Sequence, residues 1–159
     1  RTCKFLIDGR RQIGSFHFAG DNFGFASGVL HALSAEAVEP CKLIMVKRTA
    51  LTAAASSDAE LASALWNAAT EELQRSQEHL VLLGRKTASE RIAAFLQGLA
   101  GGGSASGILD IPMCRQDIAD YLGLTIETVS RTITQLEQSG FLALESSRRL
   151  RLRRSMQAQ

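Results

Sequence analysis

The sequence predicts an α+β fold: a β-rich start, one long amphipathic helix, then a helix-turn-helix followed by a basic ribbon. Three observations carry that reading. Short apolar runs separated by Asp8-Gly9 and Gly20-Asp21 turns occupy the first 48 residues. Apolar residues then recur at spacings of three and four from Leu61 to Leu83. Last, Ala119, Gly123 and Val129 stand at offsets of four and six, with an arginine-rich segment downstream.

Composition narrows the class. The 159 residues carry 18 basic and 16 acidic side chains, so the chain as a whole is no polycation, and with 45% apolar and 21% charged residues it falls among globular rather than disordered chains. No stretch approaches the roughly 18 unbroken apolar residues of a spanning helix, and no charged-then-apolar leader opens the chain, so a cytoplasmic protein without membrane contact is expected. Cys3, Cys41 and Cys114 form no CxxC pair, which argues against a disulfide framework, a metal centre or an iron–sulfur cofactor. His17, His31 and His79 lie in three different segments. No Ser/His/Asp set or carboxylate pair supports an enzyme, and no cofactor is expected.

The elements follow in order. Lys4–Ile7 and Gln12–Phe18 flank Asp8-Gly9-Arg10-Arg11, a hairpin signal because glycine reaches the positive φ that tight turns require. A second strand pair is expected around Ala35–Val38 and Lys42–Val46, interrupted by Glu39-Pro40. These strands are too few for a free-standing sandwich and read as the second half of one. The apolar run already in progress at residue 5, with no initiator methionine, suggests that the first strands lie upstream.

From residue 58 the period changes to that of a helix. Leu61, Leu65, Ala69, Leu73, Ser76, Leu80 and Leu83 form a narrow seam on a helix about 40 Å long at 1.5 Å per residue, with Ser57 or Asp58 as N-cap and Gly84 as stop. Length and seam width point to pairing with a second copy; the alternative is a helix packed on its own sheet. Thr87–Leu99 is a further amphipathic helix. Residues 101–107 read as a flexible linker, since they lack the Lys-Ser/Thr of a phosphate-binding loop. The organisation is therefore 1–57 a β domain, 58–84 a dimerisation helix, and 85–159 a helix-turn-helix domain.

In that last unit a small residue must sit where two helices cross, a glycine must turn the chain, and a β-branched residue must pack back; Ala119, Gly123 and Val129 supply all three. Thr125 is the expected N-cap of the second helix, which presents Glu127, Ser130 and Arg131 outward. Arginine matches guanine O6/N7 in bidentate fashion and glutamate accepts from cytosine N4, so these three are the candidate base readers; the plain alternative is a solvated Glu–Arg pair. Arg148–Arg154 alternates arginine with Leu150 and Leu152, as expected of a hairpin turning at Ser146-Ser147 with one buried and one cationic face. Arg115, Thr125, Thr128, Arg148, Arg149 and Arg151 are candidates for phosphate contact or support of the motif. Cys114 begins the first helix at capping-box spacing to Asp117, beside Arg115, and is a candidate redox thiol; an inert thiol is the alternative.

These residues resemble the Crp–Fnr superfamily of bacterial transcription regulators along essentially the whole chain. Gly14–Phe25 is similar to the sensor-domain signature, Leu83–Leu96 to the end of the dimer helix and the helix after it, and Ile111–Ile118 with Leu122–Arg131 to the FixK and Fnr branches. The resemblance implies a partial β jelly roll of the cyclic-nucleotide-binding type, a dimer helix and a winged helix-turn-helix. It implies a homodimeric activator on a palindromic, TTGA-type inverted repeat in double-stranded DNA, with Glu127, Ser130 and Arg131 contacting bases. It also implies RNA polymerase as a partner, through the hairpin tip Asp8–Arg11. Two departures matter. Phe23-Gly24-Phe25-Ala26 replaces the Phe-Gly-Glu-Leu of the cyclic-AMP branch and no arginine lies between Arg11 and Arg48, which argues against cyclic AMP. The oxygen-sensing branch carries cysteines largely upstream of this chain plus one in the region of Ile44; the set is not seen here, Cys41 being the one cysteine of that region, which argues against its cluster. A regulator in which ligand or haem binding is the primary event, and a truncated dimer partner unable to activate, are the alternative readings.

Overall fold

The computed structural model describes residues 1–25, 30–101 and 107–153. Ala26, Arg154 and residues 102–106 of the expected linker lie outside the described residues. Strands β1 (Thr2–Phe5) and β2 (Arg11–Ser15) pair antiparallel, with Cys3 opposite Ile13 and Phe5 opposite Arg11. The turn between them closes where the Leu6 N–H donates to Arg10 O at 2.8 Å, and Gly9 takes φ +84°. Strand β3 (Ser34–Ala35) adds to the free edge of β1, giving the order β2-β1-β3.

The second expected strand pair does not form as read. Only Ser34–Ala35 is strand, and Lys42–Val46 has no strand beside it among the described residues. Ile44 and Met45 are 95% and 92% exposed, so the apolar run there is unpaired and uncovered. A strand depends on a neighbouring ladder for its hydrogen bonds, and an apolar pattern alone supplies none. Helix α1 (Arg48–Ala55) then forms inside the segment read as a β domain; its N-cap Lys47 makes no side-chain capping bond, so it leaves no capping signature in the sequence.

Helix α2 (Ala59–Arg85) matches the periodicity closely. The Asp58 carboxylate accepts from Leu61 N–H at 3.0 Å, as an N-cap should. The helix runs through Gly84 to Arg85, because a lone glycine in the last turn weakens a helix without ending it. Helix α3 (Ala88–Gly101) opens on a reciprocal cap: Glu90 Oε2 accepts from the Thr87 N–H and hydroxyl, each at 2.7 Å.

The core lies in the C-terminal half. Strand β4 (Ile108–Asp110), helix α4 (Arg115–Leu122), helix α5 (Ile126–Gln138), and strands β5 (Leu142–Ser146) and β6 (Arg149–Leu152) complete it, with sheet order β4-β6-β5. Ile92, Leu96, Ile118, Leu122, Ile133, Leu142 and Leu150 are almost wholly buried in one cluster. Each such side chain contributes about 1.5–3 kcal/mol of transfer free energy. Phe16 beyond β2 and Val38 beyond β3 pack on that cluster, so the N-terminal sheet rests on the C-terminal core. No helix of the described residues is long and apolar enough to cross a membrane.

Two glycines should respond oppositely to alanine. Gly123 has φ +62°, where a Cβ is strained, so Gly123→Ala should destabilise by about 1–2 kcal/mol in urea unfolding. Gly84 is helical with open space around it, so Gly84→Ala should stabilise by about 0.5–1 kcal/mol.

Candidate nucleic-acid interface

Helices α4 and α5 pack together, and Ala119 of α4 and Val129 of α5 are both fully buried in the shared core cluster. Gly123 turns the chain in the left-handed region, and Leu124 N–H donates to Ala119 O at 3.0 Å, closing α4. Thr125 then caps α5, its hydroxyl accepting from Thr128 N–H at 3.2 Å and lying 3.1 Å from the Thr128 hydroxyl. Thr125 and Thr128 therefore fix the start of α5.

The other side of α5 is open. Val129, Thr132, Ile133 and Leu136 are buried, whereas Ile126, Glu127, Ser130 and Arg131 are exposed. Its own backbone N–H, then the Thr125 hydroxyl and Arg131, hold the Glu127 carboxyl below the usual carboxylate range. The helix N-terminus therefore shows a fixed acceptor, a small hydroxyl and a guanidinium fork side by side. Such a set can donate to and accept from base edges in a groove.

The β5–β6 hairpin stands beside it. Leu150 is buried while Arg149, Arg151 and Arg153 are exposed. Two of these arginines are engaged within the sheet, which the sequence pattern did not suggest. Arg149 donates in a fork to Asp110 at 2.7 and 3.0 Å, lowering the pKa of that carboxyl, and Arg151 donates to Glu145 Oε1 at 3.1 and 2.9 Å. Both pairs are solvent-exposed and of the weak kind, so an incoming phosphate can displace the carboxylate. Arg148 is exposed in the turn, its N–H bonded to Ser146 Oγ at 3.3 Å. Arg115 is half-buried, and its Nη1 is enclosed without a hydrogen-bond partner. Cys114 is exposed at the N-cap of α4, and its N–H donates to Asp117 Oδ2 at 3.4 Å.

Several positioning residues were not legible in the motif. The Arg91 guanidinium donates to the carbonyls of Lys86 (2.9 Å), Leu122 (2.9 Å) and Leu83 (2.6 Å), tying the end of α2, the start of α3 and the end of α4 together. His79 of α2 stacks on Tyr121 of α4 with centroids 4.1 Å apart, and its Nε2 lies 2.8 Å from Tyr121 O. Phe16 and Phe95 pack on the same tyrosine ring. In α2, Leu61, Leu65, Ala69 and Leu83 are half-buried, and Leu73, Ser76 and Leu80 are exposed. The outward stripe continues through Trp66, 71% exposed and seven residues before Leu73. Trp66 was missed because Leu65 beside it satisfies the same apolar count.

Comparison with known proteins agrees with this fold. The family of bacterial regulatory proteins of the crp type matches residues 111–142. The nitrogen fixation regulation protein FixK of Azorhizobium caulinodans is 56% identical over 158 residues, covering 96% of this chain and 64% of that protein. FixK of Rhizobium meliloti is 43% identical over 148 residues, covering 93% of this chain and 67% of that protein. The solved structure of FixK2 from Bradyrhizobium japonicum superposes with a TM-score of 0.88 at 45% identity, covering 98% of this chain and 78% of that one. The chain thus spans about two-thirds of the length of the curated relatives it matches.

The half-buried His79 makes stability depend on pH. Burial lowers the His79 pKa, opposed by hydrogen bonds to the backbone of Tyr121 and Gly14. The folded state binds the proton less readily than the unfolded one, so this contribution is complete above the ordinary histidine value of about 6.5 and lost as pH falls below it. Urea midpoints should decline from pH 7.5 to 5.5, and His79→Gln should flatten the decline; an unchanged slope would contradict it. His17, whose pKa burial also lowers, should leave a residual slope in that variant.

Proposed function

The chain belongs to the Crp–Fnr family of bacterial regulatory proteins, and from that premise we propose that it is a sequence-specific DNA-binding transcription activator acting as a homodimer. The observation that carries this reading is the divided surface of α5: one face is locked into the core, and the N-terminal part of the other presents Glu127, Ser130 and Arg131 to solvent. In this reading α5 is the recognition helix in the major groove, with Arg131 paired to a guanine and Glu127 to a cytosine. Arg148, Arg149 and Arg151 meet phosphates, which adds affinity and register without sequence information. Two copies joined along α2 would place their recognition helices about 34–36 Å apart, matching a palindromic, TTGA-type site. The partner along α2 would cover Trp66, Leu73 and Leu80. At the hairpin tip, Asp8 and Arg10 are exposed and paired to each other, and this is the surface offered to RNA polymerase.

An unbiased selection of bound duplexes should return an inverted repeat. Arg131→Ala should then lose about 1–3 kcal/mol on that site and relax the preference at one base pair. Equal losses on selected and scrambled duplexes would contradict base reading. Arg151→Gln should weaken all duplexes alike and reduce the slope of log affinity against log salt by about one.

The single tryptophan reports the dimer directly. Dilution through the dimer dissociation range should shift its emission to the red as Trp66 meets water, and Leu73→Glu should give a monomer by sedimentation.

A further inference from the structure

The least expected cluster in the molecule joins its two ends. Arg11 of β2 donates through Nη2 to Asp117 Oδ1 and through Nε to Asp120 Oδ2 at 2.8 Å, both acceptors on α4 more than a hundred residues away in sequence. Arg1 adds a contact to Asp117 Oδ2 at 2.7 Å and another to Glu36 Oε2 at 2.9 Å. Asp117 is only 4% exposed at its side chain, Asp120 13% and Arg11 16%, so these charges are largely withdrawn from water.

Burying charges carries a desolvation penalty that roughly offsets their attraction, so such a network adds little net stability. Its strength lies in geometry. A guanidinium fork spanning two carboxylates one helical turn apart is satisfied only when β2 and α4 hold one mutual orientation. The carboxylates cannot turn elsewhere, because each also has a local bond. Asp117 Oδ2 accepts from Cys114 N–H at 3.4 Å, and Asp120 Oδ1 accepts from Gln116 Nε2 at 2.7 Å. Behind them, α4 packs on α5 through the shared core, to which Ile118, Ala119 and Leu122 contribute from one helix and Val129 and Ile133 from the other. The orientation set at Arg11 therefore reaches the helix that carries Glu127, Ser130 and Arg131.

We propose that Arg11 is a positioning residue for DNA binding: by bridging Asp117 and Asp120 it fixes the recognition helix relative to the N-terminal sheet, and so sets the separation at which two recognition helices meet the halves of a palindrome. The inference rests on the reading that the chain binds DNA as a dimer. The second half-site is bound intramolecularly, at an effective concentration that depends on the two helices being held at the right separation. A loosened latch spreads that separation over many orientations and dilutes the gain, while each helix-turn-helix still recognises its own half-site.

The test uses the full chain with Arg11→Gln, Arg11→Lys and Asp120→Asn. Binding is measured by fluorescence anisotropy on the selected palindrome, on the palindrome with one base pair inserted at its centre, and on a duplex with one intact half-site. Arg11→Gln should weaken palindrome binding about tenfold or more, change half-site binding less than about twofold, and reduce the penalty for the inserted base pair. Arg11→Lys should lose most of the same effect, because one ammonium cannot reproduce the fork. Asp120→Asn removes one arm and should fall between. Unchanged palindrome binding, or equal losses on palindrome and half-site, would overturn the proposal.

Amide hydrogen exchange without DNA separates this idea from the functional reading. Arg11→Gln should speed exchange in both β2 and α4, and unchanged protection in either would overturn the latch. Should the parent chain fail to prefer the palindrome over scrambled duplex, the DNA reading falls and the positioning role with it, whereas the exchange result still decides whether the latch exists.

Discussion

The architecture depends on how α4 is held. This eight-residue helix is constrained at its core face, at its C-terminus and along part of its polar face. Ile118, Ala119 and Leu122 fill the core, in the same buried cluster as Val129 of α5. Its C-terminus is closed by Gly123 and by the Arg91 guanidinium on Leu122 O. Its polar face receives Arg11, and Tyr121 receives the His79 ring. A protein interior is close-packed, so a helix engaged in this way moves with its neighbours or not at all.

One consequence concerns how distant parts of the chain communicate. The N-terminal sheet has little core of its own; Cys3 and Ile13, which face each other across β1 and β2, are its only fully buried apolar side chains among the described residues. It gains cover instead from the C-terminal cluster through Phe16 and Val38. Helix α2 reaches the same place through His79, and Arg91 joins its last turn to α3 and α4. Phe16 and His79 both meet Tyr121, and Arg91 binds Leu122 O beside it, so a change in the sheet or along α2 has a short mechanical route to α5.

How much of this was legible follows from the range of the interactions. The helix-turn-helix was readable because its determinants are local: a cap at Thr125, a turn at Gly123 and a crossing pair at Ala119 and Val129 all lie within eleven residues. Helix α2 was readable for the same reason, through its period and the Asp58 cap. The sheet around β3 was not, since strand identity depends on a partner, and Lys42–Val46 carries a strand-like pattern with no strand beside it among the described residues. Strand β4 went unrecognised because three residues are too short to show alternation; it forms through pairing with β6, forty residues away. Arg11 looked like part of an exposed turn. Its partners, Asp117 and Asp120, read as ordinary polar residues of an amphipathic helix, and nothing in the sequence links positions so far apart.

The electrostatics of the wing reconcile a near-neutral chain with a nucleic-acid role. Nonspecific affinity for DNA grows with the number of phosphates a surface neutralises. With Arg149 held by Asp110 and Arg151 by Glu145, two of the wing's cations are already offset before any duplex arrives. Exchanging a carboxylate for a phosphate keeps the arginine paired but leaves the acid near the backbone, so each exchange contributes less than a free arginine would. On the proposed reading, a larger share of the binding free energy then falls to contacts that only the right sequence completes, with Arg131 foremost. Weak general attraction also keeps a regulator from being held on the many competing nonspecific sites of a genome. The acidic residues that mask the basic ribbon in the composition thereby favour discrimination over raw affinity.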